Sequence, residues 1–465
     1  MTCAFLRSAA LSAAALAVLG GCTMIPAYQR PDAPVAPRWP GAQGAEPAGE
    51  AAADIEWQTY FQDPQLKRLI GLALQGNRDL RVAVLNIEQA RAQYQIRGAD
   101  RYPTLNLAAT GSRTPTTSGG IASAYTAGLS VSAWEIDFFG RIASLKEAAR
   151  AQYLATGEGR KGVQIALVAA VAGSYLNLLA DDELLALTRQ TLATREDSLK
   201  LSKLRFDNGA TSELDFRQAE SLTEGARVAL AQLQRQRALD ENALVLLLGQ
   251  PLPADFAVSG STEAVRLQPV PAGLPSDLLT RRPDIRQAEQ QLLAANANIG
   301  AARAAFFPRI ALTAGAGTAS NHLSGLFSGG SWGWTLAPQA LLPIFDAGRN
   351  QAGLASARAG RDIAVAQYEK AIQTAFREVA DALAGRATLG EQLRAQQAQA
   401  QAEATRFKLS DLRYQNGVAS YLDLLDAQRA LFTARQAVVQ TRLLQLQNQV
   451  ALYKSLGGGW KDAAP

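Results

Sequence analysis

Two halves of this chain repeat each other, so any fold it adopts has to hold the same unit twice in succession. Residues 201–209 read LSKLRFDNG and residues 409–417 read LSDLRYQNG, an offset of 208 residues. At the same offset Leu214-Asp215 matches Leu422-Asp423, Ala226-Arg227 matches Ala434-Arg435, and Gly140-Arg141 matches Gly348-Arg349. Further upstream the offset becomes 205: Asp79-Leu80-Arg81 matches Asp284-Ile285-Arg286, and Pro103 matches Pro308. Such a shift asks only for a small insertion in one loop of the second half.

Each copy predicts the same order of elements: a helix, two strands, a very long helix, a turn and a second long helix. The first helices are expected at about 77–100 and 283–305, each closed by a following Pro103 or Pro308. From Arg141 to about Phe206 there is no proline, which predicts a helix on the order of 100 Å at 1.5 Å per residue. Val171, Leu178, Leu185, Leu192, Leu199 and Phe206 fall seven apart, as do Leu425, Phe432, Val439, Leu446 and Tyr453. A sustained seven-residue repeat supercoils helices around one another. Residues 165–180 are apolar enough for a membrane helix, but Ser174, Asn177 and the following Asp181-Asp182 read better as a packed one. At Asn208-Gly209 and Asn416-Gly417 the glycine supplies a left-handed helix end. Ser212 or Ser420 then caps the next helix. Two helical hairpins per chain follow, with tips near 208–213 and 416–421.

The strands, expected at about 103–113, 124–136, 308–318 and 332–344, alternate apolar and polar residues with period two. Tyr125, Ala127, Leu129, Val131 and Ala133 form one face of the second strand; Ile310, Leu312, Ala314 and Ala316 form one face of the third. About ten residues is the length of a tilted membrane-crossing strand. Tyr125, Trp332 and Trp334 stand at strand ends, where interfacial aromatics belong. A soluble β-subdomain with one buried face shares the alternation. If the strands cross a membrane, four cannot close a barrel and open edges cannot face lipid. Several copies must then share one barrel, and the strand count alone leaves two, three or four open.

The first 21 residues read as a lipoprotein signal peptide: Arg7, an Ala/Leu-rich run, then Leu19-Gly20-Gly21-Cys22. Cys22 is the expected lipidation site, and Thr23 in place of an aspartate implies sorting to the outer membrane. Cys3 leaves with the signal, so no disulfide is expected. Net charge is +5, from 46 Lys+Arg and 41 Asp+Glu that are interspersed, which argues against a nucleic-acid surface. Aromatics are 7%, in keeping with long, closely packed helices. His322 is the chain's single histidine, sits in a glycine-rich loop, and no phosphate loop or metal-ligand cluster accompanies it. No catalytic residue, metal or cofactor is expected beyond the lipid on Cys22.

Taken in order, the lipobox, Asp63-Pro64-Gln65-Leu66, Asn77-x-Asp79-Leu80, the paired strands, Gly140-Arg141 with Gly348-Arg349, and the two Asn-Gly tips resemble the TolC outer membrane factors. The N-terminus and residues 414–432 look most like the OprM-type lipoproteins. The resemblance covers essentially the whole chain after Cys22. It implies a mixed, mainly helical fold, with four transmembrane β-strands per chain contributed to a trimeric 12-stranded barrel and coiled-coil helices forming a periplasmic α-barrel. It divides the chain into a lipidated extended segment (22–60), repeat 1 (61–250), an equatorial linker (251–280), repeat 2 (281–457) and a tail (458–465). Residues near 54–76, 250–280 and the C-terminus would form a belt around the helices.

What the resemblance implies for function is a passive exit duct of a tripartite efflux pump in the outer membrane, lipid-anchored and extending into the periplasm. Its partners would be two further copies, outer-membrane lipid, a periplasmic adaptor protein docking at Asn208, Gly209, Asn416 and Gly417, and an inner-membrane RND-type pump. A duct for protein secretion or metal efflux is the alternative. Leu422, Asp423 and Asp426 would form the periplasmic gate, with Arg413, Tyr414 and Asp215 as candidates for its latch. Each has a plainer reading as well. The acids lie in first helical turns, where the helix dipole favours them, and Leu422 is a candidate core residue. Some relatives carry an arginine two residues after the tip glycine, where this chain has Ala419. A coiled-coil lipoprotein or adhesin would need neither two strand pairs nor a duplicated tip.

Overall fold

The computed structural model describes residues 23–40, 50–117, 119–256 and 260–461. Signal peptide and Cys22 lie outside them, as do residues 41–49 and 462–465.

In chain order the elements are α1 (Trp57–Tyr60), α2 (Pro64–Gly76), α3 (Arg78–Ala99), β1 (Leu105–Pro115), β2 (Ile121–Ile136), α4 (Arg141–Asp207) and α5 (Glu213–Leu248). Then follow α6 (Leu278–Arg281), α7 (Pro283–Ala304), β3 (Arg309–Ser320), β4 (Trp332–Leu341), α8 (Arg349–Gln415) and α9 (Tyr421–Ser455). The duplication is visible in the lengths: α3 and α7 have 22 residues each, α4 and α8 have 67 each. The hairpin loop between β3 and β4 is longer than its counterpart between β1 and β2, which places the extra length of the second copy there.

The chain divides into two compact units that cut across the repeats. One comprises the N-terminal arm to Ala33, Leu85–Gly157 and Gln287–Lys370; the other comprises Pro34–Val84, Glu158–Arg286 and Ala371 onward.

The first unit holds one antiparallel sheet of order β1-β2-β3-β4. Its register collects the alternating residues into two distinct faces. Leu107 pairs with Leu129, Leu129 with Ala316 and Ala316 with Trp334. The row beside it runs Ala109, Ala127, Thr318 and Trp332. The opposite face carries Thr110 against Thr126, their hydroxyls 2.6 Å apart, and Gly128 against Gly317. A Cβ on Gly128 would overlap the backbone of Ala316 and Gly317, so only glycine lets the strands approach so closely there.

One expectation is corrected. Ala133 does not continue the apolar face of β2. The register jumps between Val131 and Trp134, so Trp134 takes the place opposite Leu312. Ala133 sits in a bulge with φ of 47°, and its N–H donates to Thr313 Oγ1 at 3.2 Å. One extra residue restores the period-two pattern beyond it. β4 also stops at Leu341 rather than near 344, two residues before Pro343.

The N-terminal arm runs antiparallel to α7 in the same unit. Arg303 donates to Met24 O, Asn296 to Pro26 O, and Arg30 with Tyr28 to Glu289. Ile25 lies where any Cβ on Gly300 would stand.

The second unit centres on α4. Residues 165–180 are packed, with Val171, Tyr175, Leu176 and Leu178 fully buried and the Tyr175 hydroxyl on Asp63 Oδ2 at 3.0 Å. Around them Tyr60 stacks on Tyr453 at 3.9 Å, and Phe61 meets Tyr453 edge-on. Tyr453 donates to Ile55 O at 2.7 Å, and Phe61 bridges Leu267. Tyr453 near the end of α9, residues 55–61 and Leu267 of the inter-repeat segment thus pack on one core. Arg282, almost completely buried, ties it together through Asp284, Glu378 and Ser455 O.

Candidate functional site: the hairpin tips and the sheet

Both tips lie in the second unit and are built alike. Gly209 and Gly417 adopt φ of 71° and 73°. Gly209 N–H donates to Phe206 O and Ala210 N–H to Arg205 O; Gly417 and Val418 do the same to Tyr414 O and Arg413 O. That is the left-handed glycine cap with its two crossing bonds. Asn208 and Asn416 each donate to the carbonyl four residues back at 2.7 Å. Ser212 accepts from Asp215 N and Ser420 from Asp423 N, both at 3.2 Å, so each second helix starts on a serine cap.

The side chains then diverge between copies. Phe206 stacks on Phe216 at the first tip; Tyr414 packs against Tyr421 at the second. Tyr421, Leu424 and Leu425 are buried with Ala219, and Leu199, Leu222 and Phe407 pack around them. Burial pushes the Tyr421 phenol up to about 12.

Leu422, Asp423 and Asp426 fall on the other side of α9. Leu422 is 56% exposed, so the reading of it as core is set aside. Asp423 is engaged in a reciprocal capping box with Ser420. Asp426 pairs with Arg406 of α8, which also holds Glu403. Within one chain, therefore, the three proposed gate residues share an uncovered helix face, and one of the two acids carries a counter-charge.

The candidate latch residues are not gathered within the chain. Asp215 accepts from Thr211 and Ser212 hydroxyls at 2.8 Å each, which holds its carboxyl below the usual range. Arg413 is exposed and makes no ion pair among the described residues. Tyr414 is instead reached by Arg205, which hydrogen-bonds its hydroxyl and lies 4.9 Å from its ring centre. Sequence reasoning did not single out Arg205. The signal available was that it is the repeat mate of Arg413, facing the other hairpin because the two tips pack against each other.

On the sheet, Trp332 and Trp334 are each 68% exposed. Tyr125 stands one row beyond Trp332, paired with Gly111 and Ser320. The three aromatics therefore sit together at the loop end of the apolar face. At the other end Glu135 accepts from Arg141 and Arg309 at 2.7 and 2.6 Å, fastening β2 to the start of α4 and to β3. Of the four strands, β1 and β4 each leave one edge without a partner among the described residues.

Comparison with known proteins gives the family and the fold. The chain is 50% identical over 455 residues to the probable efflux pump outer membrane protein TtgC of Pseudomonas putida, spanning 96% of this chain and 94% of that protein. It is 46% identical to the outer membrane protein OprJ of Pseudomonas aeruginosa, spanning 98% of each. Its fold matches the open state of the Neisseria gonorrhoeae MtrE outer membrane channel with a TM-score of 0.88 at 40% identity, spanning 96% of this chain and all of that one. The model of the outer membrane efflux protein family matches residues 69–250 and 274–458, one stretch in each repeat. The chain belongs to the outer membrane efflux protein family, and it is an outer-membrane efflux channel protein.

Proposed function

We propose that three copies assemble into a passive exit duct, each giving four strands to a 12-stranded barrel. The observation that carries this is the sheet. It has one continuous apolar, aromatic-rimmed face, and two unpaired edges that cannot stand in lipid. Pairing β4 of one copy with β1 of the next removes every edge. The small-residue face, with Gly128 against Gly317, suits the crowded inside of a curved sheet. A lipid on Cys22 fits the same picture. The arm begins beside Arg303 at the end of α7 that leads into β3, so an anchor just ahead of it enters the membrane the strands cross.

The duct works with a periplasmic adaptor protein and an inner-membrane RND-type pump, and it supplies no catalysis of its own. The adaptor docks at the tips, around Asn208, Gly209, Asn416 and Gly417, where the backbone turns are fixed by glycine and asparagine rather than by partner contacts. The gate is the exposed face of α9. Three copies of Leu422, Asp423 and Asp426 around an axis narrow the tube and favour cations through the ring of carboxylates. Arg413 and Asp215, unpaired with each other within the chain, are free to meet across subunits as the latch. Relatives named for toluene, solvent and antibiotic efflux point to small toxic organic compounds as cargo.

Single-channel conductance in planar bilayers tests this. The native protein gives small, cation-preferring conductance, and Asp423→Ala/Asp426→Ala gives larger, unselective conductance. Unchanged conductance and selectivity in the double variant would remove the gate from α9. A well-folded oligomer silent in both forms, with and without adaptor, would refute the duct.

A further inference from the structure

A cavity of about 200 Å³ lies in the second unit among α4, α8 and α9, well above the tips. Its floor is Arg195, only 6% exposed. The guanidinium donates from one terminal nitrogen to Leu222 O at 2.9 Å and lies 5.4 Å from the centre of the Phe432 ring. Its Nε is buried with no hydrogen-bond partner among the described residues.

No carboxylate answers this charge among the described residues. The acids on neighbouring turns are held by other cations: Glu196 by Arg227, Asp197 by Lys200, and Glu403 and Asp426 by Arg406. The other charges nearby are positive. Arg435 lines the same cavity. Arg429 adds to burial in pulling the Arg195 guanidinium below its ordinary value. A buried cation without a counter-charge is costly, and two arginines on one cavity make it strongly attractive to an anion. Gln428, also lining it, has a buried amide oxygen without a partner among the described residues. The remaining walls combine the polar Gln190, Thr191 and Thr194 with the apolar Leu187, Ala404, Leu431, Phe407 and Phe432, the two phenylalanines giving an aromatic side.

We infer that this cavity is a binding site for a small organic anion, whose carboxylate or equivalent meets Arg195 and Arg435 while its apolar body lies between Phe407 and Phe432. The wall composition separates this from a bare inorganic anion, which would leave the aromatic side unused. Because α4 belongs to the first repeat and α8 and α9 to the second, the guest bridges the two hairpins and restrains their separation.

The test is calorimetric titration of the full-length protein in detergent with benzoate, with its neutral counterpart benzamide, and with inorganic phosphate. Saturable benzoate binding at one site per chain is expected, at least about tenfold tighter than benzamide or phosphate. Arg195→Gln should weaken benzoate at least about tenfold. The exposed Arg435→Gln keeps the fold and should weaken it at least about threefold, so the site stays testable if the first variant is unstable. No saturable benzoate binding, which would mean a water-filled cavity only, overturns the inference. So does equal affinity for benzamide, or benzoate affinity unchanged in Arg435→Gln and in a folded Arg195→Gln.

Discussion

Asp181 offers a test of the second unit's electrostatics through Asp181→Asn. The residue is 7% exposed, in α4 beside Asp240 of α5, and among the described residues its Oδ2 has no hydrogen-bond partner. Two carboxylates are both acceptors, so they can bond only if one keeps a proton. The other charges nearby are Asp182 and Glu241, both held by Arg237 at 2.6 Å, with Gln236 donating to Asp240. Burial first, then Asp240, pushes the Asp181 carboxyl from 3.8 up to about 7. The sign follows from proton binding. Below the unfolded value both states hold the proton. Between 3.8 and about 7 the native state holds more, so stability falls as pH rises through that window and the loss is complete above it. At 1.36 kcal/mol per pH unit the full loss is on the order of 4 kcal/mol. Asparagine does not titrate and can donate to Asp240. Its melting temperature should therefore match wild type near pH 4 and exceed it above pH 7, by on the order of 8 °C at about 2 °C per kcal/mol. The assay is thermal unfolding by circular dichroism of both proteins in detergent from pH 4 to 9, at one scan rate. A difference that does not grow with pH, or an asparagine variant less stable at pH 8, would refute the shared proton.

Other perturbations read other parts of the fold. Gly249→Ala places a Cβ against the Gly76 carbonyl at a left-handed position, φ 66°, and should lower stability by roughly 2 kcal/mol or more, seen as a lower melting temperature. Arg282→Ala strips Asp284, Glu378 and Ser455 O of a nearly buried partner and should cost about 3–5 kcal/mol; an effect below about 1 kcal/mol would mean water replaces the guanidinium. Ser420→Ala removes the α9 cap and should cost about 1 kcal/mol, with faster amide exchange confined to the first turn of α9.

The duplication, the helix spans and the tip turns were legible because each rests on local rules. Asn-Gly ends a helix through glycine's access to positive φ, and a serine three residues before an aspartate starts the next. The bulge at Ala133 was not legible, since it depends on Thr313 of a partner strand to satisfy the displaced N–H. The Arg205–Tyr414 link was also hidden. Each residue has an equivalent in the other copy, and only the packing of the two hairpins decides which member of the pair crosses over.

The sequence by itself determined what repeats, which residues are helix or strand, and that four amphipathic strands cannot close alone. Those properties come from periodicity and backbone stereochemistry, which act over a few residues. Only the tertiary structure decided that Tyr453 stacks on Tyr60, that Arg282 joins three elements, and that Arg195 is buried with no acid among the described residues to answer it. Such contacts join residues far apart in the chain, and their energies depend on burial and mutual orientation, which no local pattern encodes.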